Sequence, residues 1–144
     1  MGQDTEPLRL IAFDEEDLAI LSAHLQDAML RVGDIIHRPA ERRFALALRR
    51  FDWEGAIHGE RRRRLTALHF ESVRAVRALK IDPALRETQL TLLAITFAPA
   101  SGPEGEVTLH VSDGAAIRLD VECVEAQMKD IGELGETSPA PMVD

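Results

Sequence analysis

"AAIRLDVECVEAQMKDIG", residues 115–132, decides how the fold closes, because it carries a strand and then the chain's last amphipathic pattern. Just before it, Asp113-Gly114 is the strongest hairpin signal in the chain, since both central positions of such a turn favour φ > 0. AAIRLDV is therefore expected to pair back on the preceding strand. From Asp120 the pattern changes. Val121, Val124, Met128 and Ile131 fall in a 3-4-3 spacing, which is the apolar seam of a helix, with Asp120 as its N-cap and Gly132 as its stop. A closing helix with one apolar seam must bury it, and the open end of a curled sheet is the natural place.

Working outward, EVTLHVS alternates with Val107, Leu109 and Val111 on one face. TLLAITFAP is continuously apolar, as a buried strand is. LTALHFESVRAVRALKI (65–81) reads as one long bent strand on its β-branched and aromatic content. RFALALRRFDW alternates around Phe44, Leu46 and Leu48, and EGAIHGERRRR after it reads as a loop of about ten residues, long for a compact domain. MLRVGDIIHR reads as a strand with an irregularity at Gly33-Asp34. LRLIAF (8–13) is a short first strand. Asp14 then caps a helix over about 15–26, with Glu15, Glu16 and Asp17 in the first turn and Leu18, Leu21 and Leu25 as its stripe. Hairpin-connected strands without alternating helices give an α+β chain: an antiparallel barrel or roll of about seven strands, one helix after the first strand, and a C-terminal capping helix. By element order this is like a pleckstrin-homology barrel, although the single tryptophan, Trp53, lies outside the last helix. One domain is expected over 8–132, with tails at 1–7 and 133–144.

Composition narrows the function classes. At 144 residues a single core can form without staples, and with no Tyr, one Trp and five Phe that core must be mainly aliphatic. One cysteine, Cys123, excludes an internal disulfide and a cysteine-built zinc site. The opening residues do not form a secretory signal and no apolar run approaches the roughly 20 residues of a membrane span, so a cytoplasmic location is expected and membrane insertion is not. The net charge is −8, yet the stretch from Arg31 to Lys80 carries +7 and the remainder −15. A basic middle between acidic flanks either neutralises itself in the fold or presents a positive face. Self-neutralisation is the preferred reading.

Phosphate loops, nucleophile elbows and zinc-helix motifs are missing, so no cofactor, metal or catalytic residue is expected. Four features remain. His69, Glu71 and His110 could converge if their strands are neighbours, giving a metal or acid–base centre; scattered sheet histidines are the simpler reading. Cys123 is expected in the first turn of the last helix, where Asp120 and Glu122 oppose a thiolate, so a quiet thiol is expected. The acidic cluster at 14–17 has an adequate reason in the helix dipole. The arginines are the best binding candidate: Arg49, Arg50, Arg61, Arg62, Arg63 and Arg64 with Trp53 alongside, a set of guanidinium forks beside an indole. Strand alternation must send part of Arg61–Arg64 to the opposite side, and an overall acidic chain argues against nucleic acid. A solvated loop paired with the acidic flanks remains the simpler reading of that run.

The stretches LRLIAFDEEDLAILSAHLQDAM, RRFALALRRFDWE, LLAITF and AIRLDVECVEAQMKDIG together resemble an uncharacterised, chiefly alphaproteobacterial family known as domain of unknown function 2948. The resemblance covers about residues 8–132 and is most specific in LSAHLQDA and IRLDVECVEAQ. It implies a soluble bacterial protein of one domain, and because the family carries no known activity it transfers no site. The leading expectation is a non-catalytic binding or scaffolding module that recognises a protein or a small ligand, with a homodimer through an exposed strand edge as a further option. An anion- or RNA-associated role through the Arg49–Arg64 region is the alternative, and an enzyme centred on His69, Glu71 and His110 the last.

Overall fold

In a computed structural model, residues 7–59 and 62–133 are described, without the side chains of Glu54 and Glu133. Strand β1 (Arg9–Ala12) leads into helix α1 (Glu15–His24). Asp14 caps that helix as its sequence predicts, its carboxylate accepting from the Asp17 N–H at 2.8 Å, and Leu18 and Leu21 are buried. Next come β2 (Met29–Arg31) and β3 (Ile35–Arg38), separated by a 3-10 turn at Val32–Asp34 where the Gly33-Asp34 irregularity was expected. β4 (Arg43–Phe51) follows, then a five-residue helix α2 (Trp53–Ile57), then β5 (Arg63–Phe70) and β6 (Val73–Leu79). The chain finishes with β7 (Gln89–Pro99), β8 (Gly105–Val111), β9 (Ala116–Val121) and β10 (Ala126–Glu133).

The strands form one antiparallel sheet in the order β1-β10-β5-β4-β2-β7-β8-β9-β6, with β3 paired to β4 off that path. Strand β2 joins two halves, meeting β4 through Met29↔Arg49 and β7 through Met29–Arg31. Residues from both halves and from α1 contribute to a single buried cluster, including Leu21, Phe44, Leu68, Leu92, Leu109, Leu119 and Met128. Helix α1 packs on β1 and β7, and the Ser22 hydroxyl accepts the Ile95 N–H at 2.8 Å. Among the described residues the sheet is not closed: β1, β3 and β6 each keep one edge without a strand partner.

Three expectations are corrected. Residues 120–132 are not a capping helix. β9 runs to Val121, a turn holds Cys123, and β10 pairs with both β5 and β1. The helical spacing arose because two strands and the turn between them place Val121, Val124 and Met128 inward, while Ile131, the fourth seam residue, is exposed. In β10 the burial period is two, with Ala126, Met128 and Asp130 inward. Without that helix the element order behind the pleckstrin-homology analogy is gone. The count of seven strands also fails, because 65–81 breaks into β5 and β6 at Ser72 (φ 59), 28–38 breaks at the 3-10 turn, and the last segment adds one; among the described residues the total is ten. The expected loop after β4 instead starts with α2, capped by Asp52, and Arg63 and Arg64 belong to β5. The turn at Asp113-Gly114 is as expected, with φ of 65 and 71. The expected tails lie almost wholly outside the described residues.

Candidate binding faces

The arginine-rich end of β4 and β5 is split by strand alternation, as its sequence requires. Arg50 pairs in register with Arg64, and both point inward, continuing the face of Phe44, Leu46 and Leu48 on one strand and Thr66, Leu68 and Phe70 on the other. Arg50 is fully buried and makes a two-pronged contact with Asp130, Nε to Oδ1 at 2.9 Å and Nη2 to Oδ2 at 2.8 Å. Asp130 also accepts from the Thr66 hydroxyl and the Leu8 N–H, each at 2.8 Å. Burial alone would raise the Asp130 pKa, but hydrogen bonds from Arg50, Leu8 and Thr66, together with the Arg50 charge, hold it below its ordinary value. Arg64 Nε donates to Asp52 at 3.1 Å, and Asp52 in turn accepts the Gly55 N–H at 2.9 Å. Arg50 and Arg64 are thus structural: they finish one end of the core with a paired polar layer.

Of the other candidates, Trp53 begins α2 and packs edge-on against Phe51, ring centroids 4.7 Å apart, so it offers no open stacking face on that side. Its Nε1 is buried and lacks an acceptor among the described residues. Arg62 is half-buried, and Arg61 lies outside the described residues. Arg49 and Arg63 face outward, and the Arg63 Nη1 donates to the Arg49 carbonyl at 3.1 Å. Burial lowers the Arg63 pKa, opposed by the charge of Asp27.

The pairing of β10 with β5 and β1 brings further cations beside these two. Across the outer face, Arg9 pairs with Lys129, Lys129 with Ala67, and Ala67 with Ala47; Arg49 pairs with Leu65. Arg38 stands at the far margin opposite Arg43. The floor between them is Ala45, Ala47, Leu65 and Ala67, bordered by exposed Ile11 and Ile36. Sheets with one solvated face normally alternate apolar with polar, whereas RFALALRRF is apolar in both phases over its centre and RRLTALHF turns Leu65 and Ala67 to the outer face as well. That double apolarity was visible in the sequence. Arg9, Arg38 and Lys129 were missed because only cross-strand pairing makes them neighbours. Among the described residues, Arg9, Arg38, Arg49 and Lys129 form no ion pair.

Elsewhere the basic middle is neutralised by the acidic C-terminal half. Arg42 meets Glu122 at 2.6 Å, Arg74 meets Glu104 and Asp120 at 2.6 and 3.0 Å, and Arg77 meets Glu106 at 3.0 Å. His69 and Glu71 do touch, Nδ1 to Oε2 at 2.7 Å, with Arg43 on the same carboxylate at 2.8 Å. His110 instead bonds Thr96 on β7, in the other half of the sheet, so the three-residue centre is not assembled. Among the described residues no group of three His, Cys, Asp or Glu side chains could hold a metal. Nor is any of their helices long and apolar enough to cross a membrane.

With these faces in view, a family model described as "Protein of unknown function (DUF2948)" matches residues 8–142. The chain belongs to the DUF2948 family. The DUF2948 match runs from just before β1 past the end of β10, so it takes in every element described above. No curated protein and no solved structure matches the chain.

Proposed function

We propose that this DUF2948 member is a non-catalytic, cytoplasmic binding module whose outer sheet face holds an acidic protein partner. One observation carries the reading: among the described residues Arg9, Arg38, Arg49 and Lys129 stand without carboxylate partners around an apolar floor, in a chain of net charge −8 that pairs its other surface arginines repeatedly. Arg63 adds a fifth cation to the same face. A partner with an apolar stripe flanked by Asp or Glu would bury Ala47, Leu65 and Ala67 and meet the cations at the rim, which is the anatomy of a specific interface. Nucleic acid fits less well, because Trp53 is packed on Phe51 and no row of aromatic rings crosses the face.

The test is affinity capture from native extract with the wild-type chain and with Arg49→Glu/Lys129→Glu. The reading expects a retained protein that is lost with the variant and released by about 0.5 M salt, where screening shortens to a few ångströms. Retention that survives both treatments would sink it. Retention abolished by nuclease would reassign the face to nucleic acid.

A further inference from the structure

The open seam of the sheet carries a second site, on the inner side and unrelated to the proposed partner face. The unpaired edges of β3 and β6 face one another across a gap fastened at both ends by backbone hydrogen bonds. At one end the Val73 N–H donates to the Arg42 carbonyl at 2.9 Å. At the other, the Gly33 N–H donates to the Arg86 carbonyl at 2.8 Å and the Val32 N–H to the Thr88 carbonyl at 3.0 Å. Gly33 favours that close approach: a Cβ there would sit 3.0 Å from the Arg86 carbonyl oxygen and 3.2 Å from its Cβ, so Arg86 would have to give way. Between the two fastenings the edges part, and the gap opens into a cleft of about 240 Å³.

The lining of the cleft is core-like. Val32, Ile35, Phe44, Val76, Ile81 and Ile117 supply it, and only Arg86 and His37 bring charge or ring nitrogens to it. Val32, Phe44 and Ile117 are buried side chains of the main core, so the floor is fixed rather than a loose surface dent. Arg86 is exposed at the rim; one of its nitrogens, Nη2, donates to the Gly33 carbonyl at 3.0 Å, and among the described residues it forms no ion pair. A guanidinium anchored by one N–H keeps its remaining donors for a ligand and is held in place to use them. An apolar cavity of about 150 Å³ takes a benzene ring, so this cleft has room for a ring or short acyl chain with one further group. Small-molecule sites are usually this combination: a largely apolar, preformed concavity with one or two placed polar groups.

We propose that the cleft between β3 and β6 binds a small apolar monocarboxylate, its hydrocarbon body on Phe44, Val76 and Ile117 and its carboxylate on Arg86. The backbone fastenings keep the mouth open without ligand, so binding needs no rearrangement of the sheet. The volume rules out a nucleotide or a long fatty acid lying wholly inside.

The experiment titrates the full chain, labelled with ¹⁵N and methyl-¹³C, with phenylacetate, hexanoate and the uncharged control phenylacetamide. Saturable shifts at Ile35, Val76, Ile81 and Ile117 are expected with the carboxylates, at least tenfold tighter for phenylacetate than for phenylacetamide. Arg86→Gln, a surface change that leaves the fold intact, should remove that tenfold preference. Ala78→Phe, at the exposed margin of the cleft, should fill the mouth and abolish binding of all three. The proposal is overturned if no probe saturates in the millimolar range, if the shifts map to the outer sheet face, or if phenylacetate and phenylacetamide bind wild type equally. Because Arg49→Glu/Lys129→Glu lies on the other side of the sheet, it should leave these titrations unchanged, so the two sites fail or stand separately.

Discussion

Replacing Asp130 by Asn tests the polar end of the core most directly. The carboxylate is almost wholly buried and accepts four hydrogen bonds: two from Arg50, one from Thr66 and one from the Leu8 N–H. Asn keeps the shape but removes the charge, and its amide N–H₂ would face donors on at least one side. Arg50, fully buried and bound otherwise, among the described residues, only to the Phe51 carbonyl at 3.4 Å, would then carry an uncompensated charge in the core. Breaking a buried ion pair from one side costs about 3–5 kcal/mol. At this chain length 1 kcal/mol corresponds to about 3 °C in Tm, so Asp130→Asn should lower the melting temperature by about 9–15 °C. Thermal and urea unfolding followed by far-UV circular dichroism measures both. Replacing both partners, Arg50→Met/Asp130→Leu, should recover more than half of the loss, because an apolar pair of similar volume leaves neither member of this pair as an uncompensated charge, while Arg64 keeps Asp52. A drop below about 3 °C for Asp130→Asn, or a double variant worse than the single, would refute this account of the polar layer.

The same pair sets an acid dependence. The folded Asp130 pKa is held below its ordinary 3.8, so its contribution is complete at neutral pH, begins to fall as pH drops through 3.8, and is gone below the folded value. Glu71 acts with the same sign from its ordinary 4.5: burial opposes ionisation, and Arg43 and His69 outweigh it. Wild type should therefore lose urea stability as pH falls through 4.5 and then 3.8, and Asp130→Asn should lose less as the medium becomes more acid. Gly105→Ala should cost about 1–3 kcal/mol by overpacking, because its new Cβ would lie 2.5 Å from the Ala98 carbonyl oxygen and from the Phe97 ring; an unchanged urea midpoint would contradict it. Ser22→Ala removes the acceptor of the Ile95 N–H that ties α1 to β7, at about 1–3 kcal/mol, with faster amide exchange at Ile95 as the check. Arg49→Glu/Lys129→Glu should shift stability by no more than about 0.5 kcal/mol per substitution, because neither cation forms an ion pair among the described residues; a larger loss in the urea series would mean they hold the fold rather than a partner.

Short-range features were legible in the sequence. The Asp14 cap with its acidic first turn, the Leu18 and Leu21 stripe, and the Asp113-Gly114 turn depend on contacts a few residues apart, and all stand in the structure. So does the alternation along β4 that turns Phe44, Leu46 and Leu48 inward, whereas Arg63 and Arg64, which the sequence reads as loop, take their sides only from β5. The charge layout likewise favoured a self-neutralising surface, and Arg42, Arg74 and Arg77 do meet carboxylates of the C-terminal half.

Two decisions needed the tertiary structure. Val121, Val124 and Met128 satisfy a helical spacing as well as they satisfy two inward-facing strand ends joined by a turn, and spacing alone cannot separate these. The strand prevailed because β10 has hydrogen-bonding edges waiting on both sides, β1 and β5, which no local preference can foresee. The partner of Arg50 is also invisible in the sequence, since Asp130 lies 80 residues away in a stretch whose spacing reads as helical. Caps, turns and alternation act within a few residues and are written in order along the chain. Which edge meets which edge, and so which cations share a face and where the seam stays open, is settled only when distant segments compete for the same hydrogen bonds and the same core.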